Sequence, residues 1–260
     1  MKITTWNVNS IRTRLEHVTD WLAANPVDVL CVQETKVQDK QFPLEPFRDR
    51  NLQVEIFGQK SYNGVALISQ EPLADVSRGF SAVLGESVAE WDEQKRVITG
   101  KLGDVQVVNL YVPNGSAIAS DKYDYKLGWL TVLKDYLAKL LEDSPKLCVC
   151  GDFNIALENH DIYKPEKGGS NIMASDAERE ALRSVLELGL RDSFRKFTDE
   201  GGHYSWWDYR AGGFQRNRGW RIDHLYLSDA LYESATECVI DTEPRGLEKP
   251  SDHTPVTVTF

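Results

Sequence analysis

The segment VDVLCVQET, residues 27–35, is apolar at nearly every position and then turns polar. A run of this length fits a β-strand buried on both faces. Such a strand needs a packed layer on each side, so it constrains the chain to a layered fold. The preceding KITTWNV alternates and is rich in β-branched residues, which predicts a strand. Ser10 is suited to cap a helix in which Ile11, Leu15, Val18, Trp21 and Leu22 recur at helical spacing, and Asn25-Pro26 ends it. Strand, helix and strand in succession predict a sheet with a helix packed on it.

Nine further strand-like runs follow: LQVEIFG, NGVALIS, RVITGKL, VQVVNLYVPN, KLCVCGDFN, HYSWWDY, RIDHLYLS, ATECVID and TPVTVTF. LGDVQ reads as a tight hairpin turn through Gly103-Asp104, and Trp91 to Arg96 as a charged, solvated connection. Long helical patterns cover residues 123–142 and 175–188. About eleven strands are too many for one strongly twisted open sheet, so two packed sheets with helices outside are expected. With 260 residues, no linker-like stretch and no repeat of fixed period, the chain reads as one domain, 1–260.

The composition, 41% hydrophobic and 27% charged, is that of a soluble globular protein. No apolar run approaches the ~18 residues of a membrane span, and MKITTWNV lacks a signal peptide's apolar core, so a cytoplasmic location is expected. Cys31, Cys148, Cys150 and Cys238 form no C-x-x-C pair and read as small buried hydrophobes. The net charge of −10 argues against nucleic-acid binding through a global positive field, though not against a local basic surface.

Chemistry-capable residues recur at the polar ends of apolar strands. Asn7 and Asn9 end the first strand, Glu34 ends VDVLCVQE, and Tyr111 and Asn114 end VQVVNLYVPN. Asp152 and Asn154 end KLCVCGDFN, Asp223 stands at the opening of IDHLYLS, and Asp252-His253 precede the last strand. Such groups at buried strand ends are costly unless paired or bound to a cation. Any one of them has an ordinary structural explanation as a turn, a cap or a surface charge. Together they suit an oxygen-liganded metal with an acid–base group. The absence of H-E-x-x-H, of a Cys cluster and of an EF-hand loop disfavours zinc and calcium. Few carboxylates with amides nearby match magnesium.

TWNVNSIR, VQETK, YVPNG, GDFN, SWWDYR, GWRIDH and KPSDHTPV, in that order, resemble the exonuclease III and apurinic/apyrimidinic (AP) endonuclease family, within the endonuclease–exonuclease–phosphatase superfamily. The resemblance runs from Lys2 to Phe260. It implies an α/β four-layer sandwich of the DNase I-like kind, with two mixed β-sheets face to face and helices outside. It implies hydrolysis of DNA phosphodiesters at abasic sites and 3′ ends with Mg²⁺, or Mn²⁺ in its place. By motif, Glu34 resembles the principal metal ligand, with Asn9 close to the metal and Asp252 supporting it. Asn7 resembles an orienting amide, Tyr111 a phenol on the scissile phosphate, and Asn154 an amide on a phosphate oxygen. Asp152 resembles the carboxylate that positions or deprotonates the attacking water. His253 resembles a phosphate-contacting imidazole with Asp223 as its orienting partner. Either Asp152 or a neutral His253 remains open as the general base.

The implied partner is double-stranded DNA carrying abasic sites or 3′ ends, met by a monomer and with no membrane involved. SWWDYRAGGFQRNRGWR mixes aromatics with Arg210, Arg216, Arg218 and Arg221, a combination that stacks on bases and pairs with phosphates. Because SWWDY alternates, one of its tryptophans is expected in the core. The resemblance assigns Trp206 and Trp220 to the walls of a pocket for a flipped-out sugar or terminal nucleotide. Lys122 and Lys126 are candidates for a backbone contact. Met173, in GGSNIMASDAERE, is a candidate for packing or for touching DNA beside the cleavage point. Two other readings are a superfamily relative acting on phospholipids or inositol phosphates and a noncatalytic DNA-binding module. The absence of a membrane-binding amphipathic stretch argues against the first, and the presence of Glu34, Asp152 and His253 against the second.

Overall fold

The computed structural model describes residues 1–165 and 171–260, so residues 168–170 of the GGSNIMASDAERE segment lie outside it. Twelve strands are present among the described residues. They are β1 (Lys2–Asn7), β2 (Val29–Gln33), β3 (Gln53–Phe57), β4 (Val65–Ser69), β5 (Ala74–Arg78) and β6 (Val97–Leu102). The rest are β7 (Val105–Tyr111), β8 (Leu147–Asp152), β9 (Leu190–Asp192), β10 (Asp223–Ser228), β11 (Glu237–Ile240) and β12 (Val256–Thr259). The helices are α1 (Leu15–Ala24), α2 (Glu45–Arg48), α3 (Ser81–Leu84), α4 (Asp121–Asp143), α5 (Asp176–Leu186) and α6 (Asp229–Ser234).

The strands form two six-stranded sheets, ordered β11-β12-β1-β2-β4-β3 and β5-β6-β7-β8-β10-β9. Each has a parallel pair at its centre, β1–β2 in the first and β7–β8 in the second, flanked by antiparallel neighbours. Parallel neighbours need a crossover, and α1 and α4 provide it. Ile3, Val29, Cys31, Val107, Cys148, Cys150, Leu225 and Val258 pack between the sheets. A second apolar layer, with Trp6, Val18, Trp21 and Leu30, lies between the first sheet and α1. A third, with Leu110, Trp129, Leu133, Val149 and Leu182, lies between the second sheet and α4 with α5. The expected four layers are therefore present. All four cysteines are buried and free, and the turn at Gly103 (φ 59) forms as expected. Among the described residues no helix is long and apolar enough to cross a membrane.

The differences from expectation are local. HYSWWDY does not form a ladder; Trp206 makes only isolated bridges to Trp220 and His253. Strands β5 and β9 fall outside the strand-like runs of the sequence, and they are the two edges of the second sheet. Edge strands bury less, so ADVSR shows no apolar alternation and LRD spans only three residues. Ser10 does not cap α1, which starts at Leu15 with Arg14 in the cap position. The backbone turns left-handed at Asn9 and Ser10 (φ 45 and 93), and the Ser10 N–H donates to the Glu34 carbonyl at 2.8 Å. That turn holds Asn9 beside the end of β2. The 91–96 connection is only partly solvated: Glu93 is exposed, but its neighbours are anchored. Asp92 accepts the Phe80 N–H at 2.6 Å, Trp91 stacks on Tyr125, and Arg96 is buried with its guanidinium 4.6 Å from the centre of the Tyr111 ring.

Arg221 is a buried structural residue and not part of a DNA-facing surface. Its side chain pairs with Asp161 at 2.8 Å and Asp192 at 2.7 Å, and Arg195 reaches the same Asp161 oxygen at 2.5 Å. This network fixes the segment carrying Trp220 and Asp223. Burial disfavours the Asp161 carboxylate, but Arg221 outweighs it and holds its pKa far below the ordinary range. The group's stabilisation is complete at neutral pH and is lost as pH falls through that depressed value. Asp161→Asn should lower the unfolding free energy by about 3–5 kcal/mol in urea at pH 7, because two guanidiniums lose their shared partner. The deficit relative to the unmodified protein should narrow in strong acid.

Candidate active site

Inward-facing positions recur every second residue along each strand. Between the sheets these rows begin apolar and end polar: Ile3, Thr5, Asn7 on β1; Val107, Asn109, Tyr111 on β7; Cys148, Cys150, Asp152 on β8; Leu227, Leu225, Asp223 on β10. The polar ends fall at one rim, since Asn7 is in register with Gln33, and Asp152 with both Tyr111 and Asp223. Gln33 reaches across the core to Asn109 at 2.7 Å, tying the sheets together just beneath the rim. Glu34, the next residue, would point away in a regular strand. Its left-handed backbone (φ 53) turns it back, and its Oε1 accepts a hydrogen bond from Tyr111 of the other sheet at 3.0 Å. Asn154 (φ 50) is left-handed as well, and such strained positions cluster at functional sites. Gly151 has φ 148 and lies so close to β7 that a Cβ there would sit 1.9 Å from the Leu110 carbonyl oxygen, so only glycine fits before Asp152.

The side chains form one continuous array. The Asn7 amide donates to Glu34 at 2.9 Å and to Asp152 at 2.8 Å. Lys36 lies 2.7 Å from the other Glu34 oxygen and donates to the Asn9 side-chain oxygen at 2.5 Å. The Asn9 amide donates to Asp252 at 2.9 Å, and Trp206 Nε1 donates to the second Asp252 oxygen at 3.0 Å. At the far side, Asp152 accepts the Asn154 N–H at 2.8 Å, and the Asn114 amide donates to the Asn154 side chain at 2.9 Å. His253 Nδ1 donates to Asp223 at 2.8 Å, which turns Nε2 toward Asp152, 3.7 Å away. The Ser205 hydroxyl in turn accepts the Asp223 N–H at 3.0 Å.

Electrostatics sort these groups. For Glu34, burial raises the pKa, but Lys36 and the Asn7 N–H outweigh it and keep the carboxylate charged. Asp252 is likewise held low against burial, by His253 and by the Trp206 and Asn9 donors. Burial pushes Asp152 up, and Asp223 and Glu34 add to the shift against the opposing His253. Burial pulls His253 down, but Asp223 and Asp152 overcome it and raise its pKa. Burial, then Glu34 and Asp152, push Tyr111 up, so the phenol keeps its proton and remains a donor.

Asn7, Asn9, Glu34, Tyr111, Asp152, Asn154, Asp223, Asp252 and His253 are thus joined in one site. Trp206 and Trp220 flank it with paired backbones, while Trp207 is the core tryptophan. Arg210, Arg216 and Arg218 are exposed, with Arg210 paired to Asp208. Lys122 is exposed and lines a groove of about 500 Å³ with Tyr111, Arg96 and Tyr62. One assignment is corrected: Lys126 is 0% exposed and bonded to Glu178, so it does not meet DNA at the surface. Of the two readings of Met173, its surroundings fit packing: it is 8% exposed and packs with Ala156, Ile162 and Ile222, its sulfur 3.5 Å from the Asn114 amide. Lys36 and Arg96 belong to the site but carried no sequence signal beyond their closeness to Glu34 and to a strand start.

Glu34, Asp152 and His253 bring ligand atoms within 4.8 Å of one another. His253 is disposed to hold a proton, which leaves an oxygen donor set around Glu34 and Asp152 with the Asn9 amide nearby. That set suits a hard divalent cation, and the ammonium of Lys36, which bonds oxygens of both Glu34 and Asn9, would have to yield to a cation held by that pair.

The family model described as Endonuclease/Exonuclease/phosphatase family matches residues 4–253. The chain is 38% identical to the exodeoxyribonuclease of Bacillus subtilis over 260 residues, covering 98% of each chain. Its fold superposes on the 3′ phosphatase NExo from Neisseria, solved with a product DNA hairpin, at a TM-score of 0.95 with 41% identity, covering 100% of this chain and 99% of that one. It superposes on an AP endonuclease from Archaeoglobus fulgidus at 0.94 with 40% identity, again over 100% and 99%.

Glu34→Gln should weaken divalent-cation binding at least about tenfold, read by titrating EDTA-treated protein with Mn²⁺ and following the free-ion spin resonance signal. Unchanged affinity would remove Glu34 from the cation site.

Proposed function

The chain belongs to the endonuclease/exonuclease/phosphatase family, and on that premise we propose that it is a Mg²⁺-dependent DNA-repair nuclease hydrolysing phosphoesters at abasic sites and 3′ ends. The observation that carries this reading is the unbroken array from Trp206 through Asp252, Asn9, Lys36, Glu34 and Asn7 to Asp152. It brings charged acids, amide donors and an imidazole to one rim beside paired tryptophans.

Phosphoester hydrolysis needs a positioned water, charge stabilisation on the non-bridging oxygens and relief of charge on the leaving oxygen. Glu34 with Asn9 would hold Mg²⁺, which when bound supplies positive charge to a phosphoryl oxygen. Asp152 is buried and rich in negative neighbours, so its affinity for a proton is raised and it serves as the base for water. Asn7 fixes the carboxylate oxygen that it bonds, and the Asn154 N–H fixes the other. His253 keeps its proton because Asp223 holds Nδ1, so Nε2–H is a donor to phosphate and not the base. Tyr111 and Asn154 add neutral donors. Between the two candidates for general base, these environments favour Asp152.

For the duplex, exposed Arg216, Arg218 and Lys122 would supply phosphate contacts on an otherwise acidic molecule. Trp206 and Trp220 would wall the space taken by a flipped-out sugar or terminal nucleotide. The balance between abasic-site incision and 3′-end cleavage is then set by what fits beside them.

The test is one assay series with an abasic duplex, a 3′-recessed end, a 3′-phosphate end and an inositol phosphate, each with Mg²⁺ and with EDTA. The three DNA substrates should turn over only with the metal, and the inositol phosphate should not. Asp152→Asn and His253→Ala should each reduce turnover about 10³-fold or more while changing DNA affinity less than about threefold. Near-normal rates in either variant would overturn the assigned roles. Replacing Arg216 and Arg218 together with alanine should weaken duplex binding and flatten its log–log salt dependence by about 0.9 for each phosphate no longer neutralised. An unchanged slope would place the duplex on another face.

A further inference from the structure

Asn114 and Asn154 stand on the two loops that leave β7 and β8, the central pair of the second sheet. Behind them is a charged side chain that the proposed chemistry does not use. Lys126, on α4, is fully buried, and its ammonium has three donors and three acceptors. It donates to the Asn154 carbonyl at 2.8 Å, to the Asn114 carbonyl at 3.3 Å and to Glu178 Oε1 at 2.5 Å. Glu178, on α5, accepts from the Met173 N–H and the Ser175 N–H, both at 3.0 Å, and from the Ser175 hydroxyl at 2.7 Å. The Tyr123 hydroxyl meets that same serine hydroxyl at 2.6 Å. Three segments are therefore gathered on one buried charge: the loop after β7, the loop after β8 and the segment leading into α5.

A buried ion pair is a poor way to gain stability, because apolar residues of similar volume often do as well or better. What this one achieves is geometric. It clamps two carbonyls from neighbouring loops, and the two asparagines so held also bond each other through their side chains at 2.9 Å.

We propose that Lys126 is a positioning residue for the reaction: with Glu178 as its anchor, it sets the spacing of the Asn114 and Asn154 loops, and through Asn154 the donor presented to phosphate. The inference rests on the phosphoester reading of the site.

The test compares the wild type with Lys126→Met and with the double variant Lys126→Met/Glu178→Gln. The single variant strands the Glu178 carboxylate and should lower Tm by about 10 °C. In the double variant the one side-chain oxygen can still accept from the Ser175 N–H and hydroxyl, while the Met173 N–H loses its acceptor; with no stranded carboxylate left, Tm should return to within about 5 °C of wild type. Turnover of a 3′-phosphate duplex should nevertheless stay about 100-fold down in kcat, with KM changed less than about threefold. The side-chain amide resonances of Asn114 and Asn154, followed by ¹⁵N NMR, should be displaced in the double variant. Recovery of kcat together with Tm, or amide resonances at their wild-type positions, would overturn the proposal. If the wild type fails to hydrolyse any DNA substrate, the functional reading falls, and the amide resonances still decide whether Lys126 sets the loops.

Discussion

One amide holds the rim together. Asn7 ends a strand of the first sheet, and its two N–H donors serve Glu34 of that sheet and Asp152 of the other. Two carboxylates at such closeness repel, and burial deepens the penalty because little water is left to screen them. A shared donor offsets part of that repulsion without adding a charge. It also sets how far apart the two acids stand, and so what can sit between them. Lys36 and His253 then bring positive charge to the two ends, one beside Glu34 and one beside Asp152. Each acid in the array keeps a donor on at least one oxygen, which is how a protein tolerates this density of buried charge.

The fold delivers the groups to that amide by using one plan twice. In each sheet a parallel pair joined by a helix stands at the centre, and the carboxyl ends of both pairs reach the same rim. Asn7 and Glu34 come from one unit, Tyr111 and Asp152 from the other. Strands β10 and β12 complete the ring, antiparallel to the pairs, so their contributions come from strand beginnings: Asp223 opens β10, and Asp252-His253 lie just before β12. Short connections have little freedom to stray from these positions, whereas a site on long loops would need extra ordering.

This logic made much of the site readable in advance. Apolar runs ending in polar residues located the strands and the rim at once, because buried strand ends seldom carry Glu, Asp or Asn without a partner. What stayed hidden had no period. The left-handed turn at Glu34 is a backbone event in a non-glycine residue, and no spacing rule announces it. Lys126 lies among the polar residues of a long amphipathic helix, where a lysine ordinarily faces water. Only its three acceptors, drawn from Asn114, Asn154 and Glu178, reveal that it is interior. HYSWWDY alternates as a strand does, yet its neighbours Trp220 and His253 come from loops, so the pattern reflects burial without a ladder. The edge strands β5 and β9 escaped for the opposite reason, since an edge can form on backbone pairing with few apolar residues.

The paired tryptophans and the acid array are also one mechanical unit. The Trp206 indole donates to Asp252, while its backbone exchanges hydrogen bonds with Trp220 in both directions at 2.9 Å. Trp220 is followed directly by Arg221, whose guanidinium is locked between Asp161 and Asp192, and then by Asp223, which aims His253. A displacement of either tryptophan therefore tilts a carboxylate or the imidazole on the same segment. Selectivity in such a site is not a separate layer added to catalysis. Under the proposed function, a substrate accepted beside the tryptophans would leave the acid array undisturbed, and one that displaced them would loosen the groups proposed to hold the phosphate.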